Sequence, residues 1–478
     1  MLGRKVGAPL PEGGSGQAPD AEDSRPDGRL LTSAEVVVDW PGNPEIPGVI
    51  ERFAEGVVLP EVRLVRQRGS PSSLDDVEGV ARREARRAIA AGRTHSGPLA
   101  VCVGSRGIAD LHVIVRAVVD ELTAAGAEPF VVPAMGSHGG GTAEGQLAVL
   151  AAYGITEDTL GIPLRATMET EIIGHVGDSP VYVDRNVVAA GQAFLVSRVK
   201  SHTDFSGTIE SGPTKMAAIG LGKQRGAHAV HSRGLQGLRE LMPEMGRFVT
   251  GRLVVGALAI VENQRGETAS ITGLAREEIG GPVESMLLER SRELLPKLPF
   301  RDLDVLVVEK MGKDVSGAGM DPNVIGRWLV TGLEEPPSPV RCVVALELTE
   351  ASHGNATGVG LADIVTERLV GRIDLAALYT NGLTSGWPSL QRSRIPVVMP
   401  TDREAILAAV ALFGAGPARP LRLVWIQDTL HTEALAVSEG LWGEAERRDD
   451  LEIAGHAVPI AFDEQRRIVP LASVGNTQ

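Results

Sequence analysis

The sequence predicts an α/β protein with two α/β domains, mostly parallel sheets and a cofactor cleft between the domains. Its 478 residues exceed what one ordinary hydrophobic core organises, which favours two domains. Short apolar runs recur along the chain, each followed by a Gly-rich turn and an amphipathic stretch, which is typical of βαβ units. These runs are continuous in Val, Ile and Leu, as expected of parallel strands that are buried on both faces.

The individual elements follow from this pattern. We predict strands at Pro98–Gly104, Pro129–Ala134, Ala193–Val199, Leu253–Val261, Leu303–Glu309, Cys342–Leu348, Ile395–Met399 and Leu421–Ile426. Helices are predicted at Asp110–Ala125, from Val283 onward, near Gly360–Leu369 and at Asp402–Phe413. Ligands bind beyond the carboxyl ends of the strands in open α/β sheets, so the loops after these strands are the expected binding region.

Changes in composition predict the domain boundaries. Residues 1–30 are rich in Gly, Pro, Asp and Glu and lack apolar periodicity, so we expect a disordered tail. Two prolines within 295–300 interrupt a helical pattern, which divides the chain into an N-terminal domain, 31–297, and a C-terminal α/β domain, 298–478. The Pro-rich stretch 334–339 is an alternative boundary.

Composition limits the class of partner. The net charge of -14 argues against nucleic acid, because phosphate binding needs clustered Lys and Arg, and a small-molecule ligand is the better expectation. Cys102 and Cys342 cannot build a disulfide framework, which fits a reducing cytoplasm. No apolar run reaches the roughly 20 residues of a membrane-spanning helix, and no secretion signal is recognisable, so we expect no membrane association. The oligomeric state is left open.

Two histidines follow predicted strands in Gly-rich loops. His138 lies in the segment GSHGGGT, and His202 lies in RVKSHTD. Imidazoles titrate near neutrality, so one can accept a proton while the other donates one. Such a pair suits the inversion of a chiral centre from either face.

Lysine is scarce in this chain and is concentrated in a few segments. Only seven of the 47 basic residues are lysines, and five of them lie in two Gly-rich regions. An ammonium group can lose its proton and form covalent bonds, whereas a guanidinium group stays charged. Lys215 is one of these lysines, and His231 follows it by sixteen residues. A single imidazole at that position can complete the coordination of a metal held mainly by another group.

At these residues the sequence resembles the nickel-dependent lactate racemase family, from about Pro98 to Arg327. The resemblance implies that His138 and His202 are the acid/base pair, and that Lys215 attaches the cofactor, a nickel pincer nucleotide, through its thio-acid sulfur. It also implies that His231 ligates the nickel. The family run P-H-x-x-A-G-x-S-G-G-x-K is altered here, because a serine replaces the proline and three more residues precede the lysine.

The resemblance also implies a substrate and a reaction. Arg106 matches the arginine that holds the substrate carboxylate, and Lys310, Lys313 and Arg327 are candidates for the second substrate cation. The implied activity is that of an isomerase: a hydride leaves the hydroxyl-bearing carbon of a 2-hydroxy acid and returns to the opposite face of the planar 2-keto acid. The substrate is lactate or a larger acid, such as a sugar acid.

Two other functions are compatible with the same residues. One is a zinc- or magnesium-dependent lyase or hydrolase that uses His202, Asp204 and His231. The other is a non-catalytic sensor that binds a hydroxy acid through Arg106.

Overall fold

The computed structural model describes residues 45–68, 73–92, 95–104, 108–335, 340–414 and 419–474. The predicted tail, 1–30, and Arg106 lie outside the described residues. Strands in this part of the chain are β1 Glu61–Gln67, β2 Gly97–Val103, β3 Ala127–Pro133, β4 Thr170–Val176, β5 Ser179–Asp184, β6 Ala193–Arg198, β7 Val254–Glu262, β8 Thr268–Ala275, β9 Val305–Met311, β10 Cys342–Leu348, β11 Ile364–Thr366, β12 Val397–Met399, β13 Leu423–Ile426, β14 Ala434–Ser438 and β15 Leu451–Pro459.

Helices cover both faces of the sheets formed by these strands. The α-helices of six or more residues are α1 Ile46–Phe53, α2 Val77–Gly92, α3 Leu111–Ala124, α4 Ala143–Ala152, α5 Arg185–Ala190, α6 Lys223–His231, α7 Met242–Leu253, α8 Pro282–Leu294, α9 Leu375–Thr384, α10 Asp402–Ala411 and α11 Glu439–Glu446. No helix within the described ranges combines the length and the apolar character needed to cross a bilayer.

The first sheet has the strand order β3-β2-β6-β7-β8. The first four strands run parallel to their neighbours, and β8 runs antiparallel to β7. Successive residues of β2 enter opposite cores: Ala100 and Cys102 pack on one face, whereas Leu99 and Val101 pack on the other. Burial on both faces explains why these strands are continuously apolar in sequence.

The second sheet has the order β12-β11-β10-β9-β13-β14-β1-β15. Its first five strands are parallel, and the last three form an antiparallel edge. Here too the strands alternate between two cores, with Val343 and Ala345 on one side and Val344 and Leu346 on the other. The α/β class with mostly parallel sheets is therefore confirmed.

Strand β1 differs from the predicted domain organisation. It belongs to the span 31–297, yet it pairs with β14 and β15 in the second sheet. Its sequence EVRLVRQ buries Val62, Leu64 and Val65 while the intervening arginines stay more exposed. A strand from the beginning of the chain is therefore part of the sheet formed by the second half. The domain boundary near residue 297 stays a prediction.

One predicted helix is wrong. The segment near Gly360–Leu369 contains β11, which pairs parallel with β10 and β12, and only a single helical turn, Glu367–Val370, follows it. A three-residue strand is too short for an alternating pattern to appear, and the apolar residues around it mimic helical spacing. The other predicted strands and helices are present with small shifts of their ends.

Candidate functional site

The predicted site residues lie near the carboxyl ends of strands in both sheets. The loop after β6 begins at Val199, and the loop after β9 spans 312–321. These loops approach each other, because the Asn323 side-chain amide lies 3.4 Å from the His202 carbonyl oxygen. The carboxyl ends of the two sheets therefore face a shared region that contains His202.

The loop that carries His202 is held from inside by a buried carboxylate. Glu210 accepts the backbone N–H of His202 at 2.6 Å and that of Gly207 at 2.9 Å. Arg292 on α8 pairs with the same carboxylate at 2.5 Å. An antiparallel β-bridge between the backbones of Lys200 and Ser211 closes the base of the loop. These contacts fix the backbone at His202 without using its imidazole.

Lys215 follows this loop in a single helical turn, Pro213–Lys215. The buried carboxylate of Glu284 anchors that turn by accepting the Thr214 backbone N–H at 3.1 Å and the Thr214 hydroxyl at 2.6 Å. A π-helical turn, Met216–Gly220, comes directly after Lys215 and precedes the helix that ends at His231. Such π-helical turns occur frequently at functional sites.

His138 lies on the exposed loop after β3. Only β2 separates β3 from β6, so the ends of these two strands are roughly 10 Å apart. The loop packs against the segment that follows Lys215, because the Gly136 N–H donates to the Gly220 carbonyl at 3.2 Å. Gln146 on α4 donates to the carbonyl oxygens of Gly136 at 2.8 Å and of His138 at 3.3 Å.

Electrostatic interactions connect His202, Lys215 and His231. Burial lowers the pKa of His202 well below its usual value, and the charges of Lys215 and His231 lower it further. Burial and the nearby Lys215 also lower the pKa of His231. Burial lowers the pKa of Lys215 to about 8. The structure thus brings together two imidazoles that favour the neutral form and an amine that is partly neutral at physiological pH.

An ion pair from the second half of the chain reaches this group. Arg392, in the 3₁₀ segment Trp387–Ser393, donates to Asp204 at 2.5 Å and to the Thr203 carbonyl at 2.7 Å. Burial alone would raise the pKa of Asp204, but the neighbouring imidazole of His202 and the charge of Arg392 lower it below its usual value. Asp204 and Arg392 line a small cavity of about 30 Å³. Asp204 and His231 line a second cavity next to it.

The three candidate substrate cations, Lys310, Lys313 and Arg327, differ in their exposure and in their hydrogen-bond partners. Lys313 donates from Nζ to the carbonyl oxygen of Gly317 at 2.6 Å, and Gly317 lines the larger cavity. Lys310 is an exposed residue of β9. Arg327 is committed elsewhere, since its guanidinium contacts Asp363 and three backbone carbonyls. Lys313 is therefore the candidate whose amine contacts a residue of the cavity wall, whereas the guanidinium of Arg327 is engaged by Asp363 and backbone carbonyls.

Lys223 contributes a buried ion pair to the structure of the site, and not covalent chemistry. Its side chain is completely buried, forms a 3.0 Å ion pair with Asp184 and donates to the Pro133 carbonyl and to Gln146. Gln146 in turn holds the backbone of the His138 loop. Lys223 therefore stabilises the His138 loop indirectly, because it holds Gln146 in place and is itself fixed by its buried ion pair with Asp184.

Sequence reasoning missed three residues that shape the site: Glu210, Glu284 and Arg392. The two glutamates contact the loops of His202 and Lys215, yet each reads as an ordinary surface residue in sequence. Arg392 lies 188 positions from Asp204. Only co-variation with Asp204 among homologous sequences could have indicated that contact.

We expect Gly220→Ala to lower the free energy of unfolding by about 1–3 kcal/mol, because a Cβ would overpack the contact between the Lys215 segment and the His138 loop. That Cβ would lie 2.6 Å from the Ala134 carbonyl oxygen. The matched control is Gly251→Ala, a helical glycine with open space around it. It should stabilise the protein by roughly 0.5–1 kcal/mol. Urea unfolding measures both, and equal effects would contradict the close approach.

We expect Lys200 and Lys215 to react with an amine-acylating reagent at lower pH than exposed lysines. The repulsion of Arg198, together with burial, lowers the pKa of Lys200 to about 8, the value also reached by Lys215. Only the neutral amine attacks, so the rate should rise with pH to a midpoint near 8, against about 10.4 for an ordinary lysine. Peptide mass spectrometry across the neutral to alkaline range measures this. A midpoint near the ordinary value would contradict the burial of these amines.

The residues present fit the group that the sequence resemblance implies. An amine with a lowered pKa can condense with a thio-acid group, with loss of hydrogen sulfide or water, and the lowered pKa of the nearby His231 favours the neutral imidazole that a metal ligand must be. Among the described residues, no cluster of three or more His, Cys, Asp or Glu side chains could hold a metal ion. The chain would thus supply His231 as one ligand, and the organic group would supply the others.

Comparisons with known proteins give little further information. No family model matches the chain, and no curated protein matches it. Among similar solved structures is the crystal structure of a Thermotoga maritima protein from a structural genomics consortium. The two chains share 12% identity with a TM-score of 0.45, over 71% of this chain and 83% of the other. Function must therefore be inferred from the residues of the site.

Proposed function

We propose that this protein is an isomerase that inverts the hydroxyl-bearing carbon of a 2-hydroxy acid with a nickel pincer nucleotide held by Lys215 and His231. One observation carries the proposal: Lys215, with a pKa lowered to about 8, influences the pKa of both His202 and His231. A nucleophilic amine whose charge acts on two nearby imidazoles, both of which favour the neutral form, suits attachment of the cofactor beside a nitrogen ligand. We further propose a cytoplasmic location.

The bound nucleotide would supply a pyridinium ring that accepts a hydride from the substrate and returns it. The chain supplies binding, orientation and proton control around that ring. Lys215 provides the point of attachment, and His231 provides a nitrogen ligand. His138 and His202 would contact the substrate hydroxyl from the two sides of the reacting carbon, and at least one of them would accept its proton. Lys313, with Arg106, is the proposed partner of the substrate carboxylate.

The alternative of a protein-ligated zinc or magnesium site is less well supported. It requires the carboxylate of Asp204 as a ligand together with His202 and His231. That carboxylate is paired with Arg392 at 2.5 Å, and the Asp204 backbone N–H donates a hydrogen bond to Nδ1 of His202. Ligation of a metal by His202 would require the contact at Nδ1 to break, and the charge of Asp204 is already compensated by Arg392.

Intact-mass spectrometry tests the proposal. The protein is produced together with the enzymes that make the cofactor, and its mass is compared with that of the protein produced alone. We expect an added mass that peptide analysis assigns to Lys215, and inversion of at least one 2-hydroxy acid by the modified protein. Lys215→Arg is the matched control, because it keeps the charge and removes the nucleophile. Unmodified Lys215 in a protein that also fails to bind nickel would reject the proposal.

A further inference from the structure

The imidazole of His202 is held in one orientation by its own loop. The backbone N–H of Asp204 donates to His202 Nδ1 at 3.0 Å. The ring of Phe205 packs against the imidazole, with 4.7 Å between ring centroids and a tilt of 42°. The His202 backbone N–H is fixed at the same time by Glu210. The side chain is therefore restrained at its ring face, at one ring nitrogen and at its backbone.

These contacts determine where the imidazole carries its proton. A nitrogen that accepts a hydrogen bond has no hydrogen of its own, so Nδ1 is unprotonated and the ring is neutral. The hydrogen of the neutral ring must then be on Nε2. A protonated ring would place two donors, Nδ1–H and the Asp204 N–H, against each other. Burial and the nearby charge of Lys215, which lower the pKa of His202, act in the same direction.

We propose, building on the racemase function above, that His202 serves as a neutral hydrogen-bond donor through Nε2–H and that His138 is the group that accepts the proton. A ring nitrogen that already carries hydrogen cannot take up the proton of the substrate hydroxyl. It can donate a hydrogen bond to the substrate oxygen and stabilise it as it becomes a carbonyl. Neutral imidazoles polarise carbonyl oxygens in this way in other enzymes. The two histidines are then unequal partners.

Arg392 is the positioning residue in this arrangement. It pairs with the Asp204 carboxylate and also holds the Thr203 carbonyl, so it fixes the turn that presents the Asp204 N–H to the imidazole. Its own Nε donates to the Trp328 carbonyl at 2.7 Å, which anchors the guanidinium in the second half of the chain. Without Arg392, the Asp204 carboxylate would be free to turn to the imidazole and accept from Nδ1–H.

Nitrogen NMR of protein labelled with ¹⁵N-histidine tests the tautomer without cofactor or substrate. The ten histidines are distinguished by comparison with His202→Gln. We expect the His202 signals at neutral pH to have the pattern of an Nε2–H tautomer, with Nδ1 unprotonated. An Nδ1–H tautomer or a cationic ring would overturn the proposal. Either result is independent of adduct formation at Lys215, so failure of this proposal is distinguishable from failure of the racemase assignment.

Two pairs of variants test the roles. His202→Gln supplies an amide N–H donor but no titrating group, so in the cofactor-loaded enzyme it should retain at least ten-fold more activity than His202→Leu. Equal losses would overturn the donor role. Arg392→Met should move the His202 signals toward the Nδ1–H pattern, whereas Arg392→Lys, which keeps a cation, should largely restore the original pattern. Unchanged signals in a folded Arg392→Met protein would overturn the positioning role.

Discussion

Lys223→Met is expected to lower the free energy of unfolding by about 3–5 kcal/mol, because it leaves the completely buried carboxylate of Asp184 without its partner. The same change removes the donor to Pro133 and Gln146. Urea unfolding at neutral pH measures the loss. Lys297→Met is the control, since Lys297 is exposed, and it should change stability by less than about 0.5 kcal/mol.

The pH dependence of this loss provides a second check. Burial raises the pKa of Asp184, and the charge of Lys223 offsets part of that rise. Without the lysine, the folded-state pKa of the carboxyl lies further above its unfolded value, so proton uptake stabilises the folded variant as the pH falls. We therefore expect the destabilisation to be smaller in mildly acidic than in neutral solution. A loss that is the same at both pH values would show that the charge pair is not its cause.

His138→Ala is expected to lower the rate of inversion on the order of a hundred-fold or more, because it removes the proposed proton acceptor. The substitution leaves an exposed loop that the Gly136 and Gln146 contacts still hold, so the unfolding midpoint should hardly change. The measurement is the conversion of one enantiomer of a 2-hydroxy acid into the other by the cofactor-loaded protein.

His112→Ala is the matched control, since His112 is an exposed residue of α3. It should retain wild-type activity. The mass addition at Lys215 should be present in both variants. Full activity of His138→Ala would contradict the role of His138 as proton acceptor. Loss of the Lys215 adduct in that variant would mean that the His138 side chain stabilises the loop instead.

The parallel strands were predictable because each is buried on both faces and therefore continuously apolar. β2, β6 and β9 illustrate this: nearly every residue of each is buried. β1 and β15 were not predictable in the same way. They form the antiparallel edge of the second sheet, and their half-exposed faces carry Arg, Glu and His, which breaks the apolar run. The position of β1 depends on partners that lie several hundred residues away in sequence.

The candidate site was predictable only where spacing along the chain carries the information. Lys215 and His231 are separated by one helical segment, so their relation is local in sequence. The contact between Asp204 and Arg392 joins the two halves of the chain and leaves no local pattern. The hydrogen bond to His202 Nδ1 depends on the turn conformation at 202–204, which no composition or spacing argument specifies.

The position of β1 between β14 and β15 also has a consequence for biosynthesis. The strands of the first sheet all lie within residues 97–275, so that sheet can form as soon as this stretch has left the ribosome. The second sheet must wait for its last two strands, while the residues of β1 remain unpaired. A fragment that begins at residue 298 would lack β1 and would leave two open strand edges, which favours association between copies.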